Sequence, residues 1–486
     1  MIAELVGERG AVIPPPGTRD LPAGFRVALD PGTRFRDGGR VLVGGSPLRL
    51  VRLSTRAAAV VATWRRGGWA DSPTARAVAR CLLDRGLVHP RPSPGGPTRD
   101  EVTVVVPVRD RPAALARCLA SLGPCHQVVV VDDASEHPEW TARVATRAGA
   151  RVVRRAVNGG PAAARNTGLA HCTTPYVAFV DSDCRPEPGW LEALLPQFRD
   201  PAVAVVAPRV VPDREARGWI ASYERARSSL DLGPREGPVV PCSRIAYVPS
   251  ATLAARRDVL GGGFADSLRT GEDVDLVWRV HRAGWAVRYV PAAVVRHAHR
   301  PRLRDWARRR YAYGTAAAPL ALRHPGQVPP VVVSRWTLAA WLLALCGRPA
   351  LATTVTGVAA GLLARRLPGR RRASESARLV VTGTALAGEQ LGRALTRTWW
   401  PLALPAAAVS RRARVALGAA ALLPPVVDWV RRRPGMDPLR FAAAYLIDDV
   451  AYGAGVWRGC LASRTAAPLL PRLASPRGRV GREERP

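Results

Sequence analysis

Three valine-rich runs limit this chain more than any other feature. Val104–Val106, Val128–Val131 and Val177–Val180 are unbroken apolar segments. A strand with one wet face alternates apolar and polar residues, whereas a strand covered on both faces reads as a continuous run. Each run ends in turn-forming or acidic residues: Pro107-Val108-Arg109-Asp110-Arg111-Pro112, Asp132-Asp133-Ala134-Ser135 and Asp181-Ser182-Asp183. A parallel α/β sheet fits this pattern, because its ligand crevices open at the carboxyl ends of the strands. A fourth motif, Gly271-Glu272-Asp273-Val274-Asp275-Leu276, opens a predicted helix over 274–283. The set points to a fold that handles a nucleotide diphosphate and a metal.

A chain of 486 residues has room for two or three domains. Residues 1–20 carry Pro14-Pro15-Pro16-Gly17 and read as a loose arm. Residues 21–90 read as a small module: short strands around Asp30-Pro31-Gly32 and Gly44-Gly45, a helix capped by Ser54, a second helix from Asp71 or Ser72 with Pro73 in its first turn, and a closing strand at Leu87-Val88. That order suggests a winged-helix-like unit. The Pro/Gly-rich stretch 91–100 is a linker, and the α/β domain runs from 101 to 325. Residues 326–470 are rich in Ala and Leu, with apolar runs at 336–364, 379–388, 399–409 and 415–430 separated by arginine clusters. Only the first reaches the roughly 20 residues that a spanning helix needs, and Arg348 sits inside it. The region reads as membrane-embedded or interfacial helices with their Arg-rich flanks on the cytoplasmic side, or as a soluble helical lobe. Residues 471–486 read as a disordered basic tail.

The formal charge is +34, and all 72 basic residues are arginine. This favours anionic partners. The absence of lysine excludes a Gly-x-x-x-x-Gly-Lys phosphate loop and a lysine Schiff base. Eight scattered cysteines form no Cys-x-x-Cys pair, so neither a zinc ribbon nor a disulfide framework is expected. The first residues lack the apolar core of a secretory signal.

In Asp181-Ser182-Asp183 the two carboxylates can face one crevice, because side chains alternate along an extended chain. Such hard oxygen ligands suit Mg²⁺ or Mn²⁺. Asp132 and Asp133 are candidates for a ribose or base contact, and equally for turn formation. Arg165, in the Gly-rich and Ala-rich stretch 158–168, could face a diphosphate. Glu272 and Asp273 open a helix, whose N-terminus lowers a carboxylate's pKa, and Asp273 is the candidate general base. His299 could complete the metal site, and Arg308 or Arg309 could neutralise a leaving diphosphate.

This ordered set resembles the inverting family 2 glycosyltransferases of the GT-A fold. The resemblance covers about 101–315 and rests on Pro107-x-Arg109-Asp110, Asp132-Asp133, Asn158-x-Gly160 through Ala164-Arg165-Asn166-x-Gly168, Asp181-x-Asp183 and Glu272-Asp273. It implies a Rossmann-like GT-A domain. The nucleotide sugar is expected at Pro107, Arg109, Asp110, Asp132, Asp133, Arg165 and Asp181. Mg²⁺ or Mn²⁺ is expected on Asp183, Asp181 and His299. Proton abstraction falls to Asp273, with Glu272 beside it. The processive synthases carry Gln-x-x-Arg-Trp after the base; here the nearest text is Leu303-Arg304-Asp305-Trp306-Ala307-Arg308.

The stretch Gly44–Ser54 is similar to the PqqD-like peptide-binding modules. A PqqD-like segment, a family 2 transferase and an apolar C-terminal region together resemble the glycosyltransferases of the mycofactocin system. That resemblance implies a UDP-sugar donor, UDP-glucose above all, a premycofactocin acceptor with peptide contact through 21–90, and a β-1,4-glucan product. The cell membrane is the expected location. A membrane transferase acting on polyprenyl phosphate or an envelope glycan is the alternative enzyme. The alternative of another class is a non-catalytic winged-helix binding protein; against nucleic acid as its partner, the second helix offers only Arg76, Arg80 and Arg85.

Overall fold

The computed structural model describes residues 20–91, 95–123, 127–298, 302–365, 367 and 372–474. The expected arm at 1–20, apart from Asp20, and most of the expected tail lie outside them. The chain forms two compact units: 1–216 with 227–299, and 217–226 with 300–486.

The first unit begins with the small module. Ser54 and Ser72 cap helices Thr55–Thr63 and Pro73–Asp84, their hydroxyls accepting from Ala57 N and Ala75 N. Strand Arg26–Leu29 lies between Gly68–Trp69 and Val88–Pro90, and a second sheet joins 34–36, 41–44 and 49–52. Val27, Leu42, Val61, Trp64, Leu82 and Leu87 fill its core. The module is fastened to the α/β domain. Arg80 on the second helix pairs with buried Asp200 at 2.7 Å, Arg91 pairs with Glu236, and buried His89 lies between Asp30 at 2.8 Å and Arg288 at 3.3 Å. All three arginines of that helix and its end also bond back to it or its start, Arg76 to Asp71 O, Arg80 to Asp84 and Arg85 to Cys81 O.

The large sheet has nine strands: β1 (Val102–Val108), β2 (Gln127–Asp132), β3 (Arg151–Arg154), β4 (Tyr176–Val180), β5 (Cys184–Pro186), β6 (Val203–Pro212), β7 (Gly237–Pro238), β8 (Thr252–Arg256) and β9 (Ala286–His297). The order is β5-β9-β6-β8-β4-β1-β2-β3, with β7 on β9. The valine runs are the adjacent parallel strands β4, β1 and β2, so their ends line one edge. The sheet is not wholly parallel as expected: β8 runs antiparallel to both β4 and β6. Helices α1 (Pro112–Ser121), α2 (Pro138–Arg147) and α3 (Gly160–Ala170) come after the first three strands in turn. Gly168 lets α3 approach closely, since a Cβ there would meet Val105 Cγ1 at 2.2 Å. Helix α4 spans Glu272–Arg282.

The second unit is helical. It includes residues 300–325, expected in the α/β domain, and the short helix Trp219–Arg227 up to Ala226. The reason is apolar packing: Ile220 and Tyr223 share a core with Trp306, Phe441 and Tyr445. The run 336–364 breaks into helices Arg335–Leu345 and Pro349–Ala364, because Gly347 takes a φ of +75° and Pro349 cannot continue the first helix. Further helices are Arg372–Arg397, Trp400–Val409, Arg411–Arg432 and Pro438–Ala462. Helix Leu303–Thr315 crosses Pro438–Ala462 with backbones nearly touching: a Cβ on Gly455 would lie 2.0 Å from Tyr311 O. The beginning of the expected disordered tail is ordered, as 472–474 pair in parallel with 332–334.

Candidate active site

The site is built at the carboxyl edge of β4, β1 and β2. After β1 the chain turns sharply through Asp110, which sits at φ +54°, a conformation costly for a residue with a Cβ. Its surroundings hold it there: Asp110 N donates to Ser135 Oγ at 3.0 Å, and Asp110 Oδ1 accepts from Glu136 N at 2.8 Å. The turn leaves Arg109 half-exposed beside Asp110 at 3.3 Å and sends Arg111 across to Asp183, Nη1 to Oδ2, at 2.7 Å. Pro107 stays within buried β1.

After β2, Asp132 is buried; its Oδ1 accepts from Ser135 N at 3.0 Å, and Arg154 lies 3.6 Å from Oδ2. Of the two roles open to Asp133, its contacts are those of a turn former. Its Oδ1 accepts from Arg155 Nε at 2.9 Å and Gly159 N at 3.0 Å, and its Oδ2 from Gly160 N at 2.8 Å. A carboxylate engaged this way ties the glycine turn and the start of α3 to β2. It has little left for a nucleoside.

Arg165 departs from expectation. It is buried within α3 rather than open to a diphosphate, and its fork spans two carboxylates: Nη2 to Asp181 Oδ1 at 2.6 Å and Nη1 to Glu272 Oε1 at 2.9 Å. Phe264 lies under the guanidinium, 5.3 Å to the ring centre. Burial opposes its charge, but Asp181 and Glu272 outweigh this and hold it firmly protonated. One arginine thereby joins the Asp-x-Asp motif to the Glu-Asp motif, 91 positions apart (272 − 181).

Asp183 is reached on its other oxygen by a histidine, but not the expected one. Cys184 pairs with His297 between β5 and β9, which brings His297 Nε2 to 3.5 Å from Asp183 Oδ1. His299 lies outside the described residues. Arg308 and Arg309 stand on the helix Leu303–Thr315, in the second unit.

Gly271, at φ +83°, ends the preceding loop and releases Glu272 and Asp273 into the first turn of α4. Asp273 Oδ2 accepts from Ser250 N at 3.2 Å and Oδ1 from Val274 N at 2.8 Å. The helix terminus was expected to lower these carboxyls, but burial reverses the sign. Desolvation, then the charge of Asp273, raises Glu272 to about 7 against the pull of Arg165. Burial likewise raises Asp273, opposed by the two backbone N–H groups. A carboxylate with a raised pKa is a stronger base once ionised, which suits proton abstraction near neutral pH.

Among the described residues no group of three or more His, Cys, Asp or Glu side chains is set to hold a metal. The half-buried pair Asp181 and Asp183 fits instead a hard cation that keeps most ligands from water and phosphate oxygens. Arg111 would have to leave Asp183 for that purpose. Sequence reasoning missed Arg111, Arg155 and His297. Arg111 is one of three charged residues in a row, and only the left-handed turn at Asp110 selects it. His297 is selected by strand pairing, which leaves no local trace.

The mixed sheet with its acidic carboxyl edge defines a GT-A glycosyltransferase domain. The profile described as glycosyl transferase family 2 matches residues 103–260. The chain is 45% identical over 470 residues to the pre-mycofactocin glycosyltransferase of Mycobacterium tuberculosis, covering 93% of this chain and 98% of that one; it belongs to that family of enzymes. It is also 26% identical over 213 residues to the glycosyltransferase AglE of Haloferax volcanii, over 41% of this chain and 67% of that one. Among solved structures it is similar to the mannosyltransferase PcManGT of Pyrobaculum calidifontis, with a TM-score of 0.39 and 21% identity, over 71% of this chain and 90% of that one.

Proposed function

We propose that this enzyme transfers glucose from UDP-glucose to premycofactocin with inversion at the anomeric carbon, extending a short β-1,4-glucan on a peptide-derived redox cofactor. The acceptor is taken from the relative that matches nearly end to end. The observation that carries the chemistry is the Arg165 bridge, which sets the Asp-x-Asp carboxylates beside a base-bearing helix terminus.

Asp273 takes the proton from the acceptor hydroxyl as that oxygen attacks the anomeric carbon. The backbone N–H groups of Ser250 and Val274 fix its carboxylate. Glu272 and Arg165 position it and do not meet the sugar. Asp183 and Asp181 would hold Mg²⁺ or Mn²⁺, which when bound stabilises charge on the departing diphosphate. Arg111, exposed and within reach of Asp183, takes the diphosphate role first given to Arg165. Asp132, Asp110 and Arg109 face the nucleoside, and Asp133 shapes the loop beside them. The module 21–90 contacts the peptide-derived end of the acceptor.

The test is transfer from UDP-[¹⁴C]glucose to premycofactocin by the full chain, with Mn²⁺ or Mg²⁺ and with chelator. Metal-dependent labelling that disappears in Asp183→Ala and Asp273→Asn supports the reading. Labelling that survives in both removes the assigned roles. Donor hydrolysis without transfer to premycofactocin removes the acceptor.

A further inference from the structure

The helices of the second unit expose side chains that water does not favour. Pro349–Ala364 carries no charge and has no buried residue. Leu402 and Val409 on Trp400–Val409 are 61% and 88% exposed, and Val415, Leu422 and Leu423 on Arg411–Arg432 are exposed to a similar degree. A helix facing water shows charged residues on its outer side, and contiguous apolar surface of this kind marks an interaction site.

The charges on these helices are arginines except for Asp428, near the end of Arg411–Arg432. Residues 335–371 and 398–427 contain no Asp or Glu. Arg365, Arg372 and Arg431–Arg433 are exposed at one set of helix ends, and Arg348, Arg411, Arg412 and Arg414 at another. Arg412 donates to Cys346 O at 3.0 Å, so the turn bearing Arg348 and the start of Arg411–Arg432 form one basic cluster.

Arg411–Arg432 is long and apolar enough to cross a membrane by length and composition. Its uncharged stretch, however, is only 415–427, and Pro424-Pro425 falls within it. At 1.5 Å per residue that stretch spans about 20 Å, and the 16 residues of Pro349–Ala364 about 24 Å. A hydrocarbon core is about 30 Å thick, so crossing would draw charged residues into it, Arg348 and Arg365 for Pro349–Ala364 and the flanking arginines or Asp428 for Arg411–Arg432. An interfacial helix meets no such cost: its apolar face sinks into the acyl boundary while arginines snorkel to the phosphates.

We propose that helices Arg335–Leu345, Pro349–Ala364, Trp400–Val409 and Arg411–Arg432 form a docking surface for an anionic lipid bilayer, inserting into one leaflet without crossing. The negative surface potential belongs to the cytoplasmic leaflet, so the enzyme works on that side. The inference stands apart from the choice of donor and acceptor.

The experiment is co-sedimentation of the detergent-free full chain with vesicles of phosphatidylcholine containing ~30 mol% phosphatidylglycerol, against vesicles of phosphatidylcholine alone. The expected result is binding to the anionic vesicles at least tenfold tighter. Leu402→Glu/Leu422→Glu and Arg411→Gln/Arg412→Gln/Arg414→Gln should each weaken it about tenfold, with circular dichroism unchanged. Mass-mapped labelling of exposed Cys346 by an impermeant maleimide should persist when the reagent is added outside the vesicles. Its loss means that the turn has crossed, and overturns one-leaflet insertion. Equal binding to neutral vesicles overturns the anionic requirement. No binding overturns the proposal, and a concentration-dependent dimer broken by Leu402→Glu would then identify a second copy as the occupant.

Discussion

Replacing Arg165 with Met keeps the bulk of the side chain and removes the one cation shared by Asp181 and Glu272. Removing one partner of a buried ion pair costs about 3–5 kcal/mol, because the other charge is left uncompensated. Asp181 keeps some solvent, so most of this falls on Glu272, 7% exposed. The cost depends on pH with a definite sign. Glu272 is raised from 4.5 to about 7 in the fold, so its contribution is fully present below 4.5 and is lost as pH rises through 7, a loss of about 3 kcal/mol. Without Arg165 the pKa rises further, so the loss is larger and extends to higher pH. The variant should therefore be about 4 kcal/mol less stable at pH 8 and about 1–2 kcal/mol less stable at pH 5. Urea denaturation followed by hydrogen exchange in β4 and α4 reads the first unit apart from the second. Glu272→Gln in the Arg165→Met background should recover at least ~2 kcal/mol at pH 8. A penalty under ~1 kcal/mol, or one that does not change with pH, would refute the bridge as the joint of the site.

Asp133→Ala removes the acceptor for three donors at the start of α3, and should cost about 2–3 kcal/mol in thermal or urea unfolding. Asp273→Asn should reduce transfer at least ~10²-fold while calorimetry finds UDP binding within about twofold of the parent. Arg111→Ala, on an exposed side chain, should shift stability by less than ~0.5 kcal/mol yet weaken donor binding about tenfold. Gly168→Ala sets a methyl against Val105 and Val131, and should lower stability by about 1–3 kcal/mol in the same unfolding assay.

The sheet was legible because burial on both faces demands continuous apolar runs, and β1, β2 and β4 begin or end within two residues of those runs. Ser54 announced its helix by capping chemistry, and Asp71 or Ser72 with Pro73 announced the second, where the cap is Ser72. The Asp-x-Asp and Glu-Asp motifs were legible as carboxylates at a strand end and at a helix start. What hides from sequence is how those charges are divided among their neighbours. Asp133 was open between ligand and turn, and Arg165 was a candidate for the diphosphate; the fold engages both, one in closing a turn, the other in joining a strand end to a helix start. The sign of the pKa shift at Glu272 was also hidden, because a helix terminus is local and visible whereas burial depends on everything packed above it. The direction of β8 was hidden for a similar reason, since a short buried strand reads alike in both directions.

That reversed strand has a consequence for how such an enzyme can change its substrates. In a βα unit the loop at the catalytic edge comes after its strand and leads into a crossover helix, so altering its length disturbs the crossover. Because β8 runs the other way, the segment at that edge precedes the strand and belongs to no crossover. It supplies Ser250 N to Asp273 and Ala246 O to Trp278. Residues inserted upstream of Ala246 would lie outside the connections that join β1, β2 and α3. On the proposed roles, the half of the sheet assigned to the donor is insulated from the segment beside the proposed base, and the second could diversify while the first stays fixed.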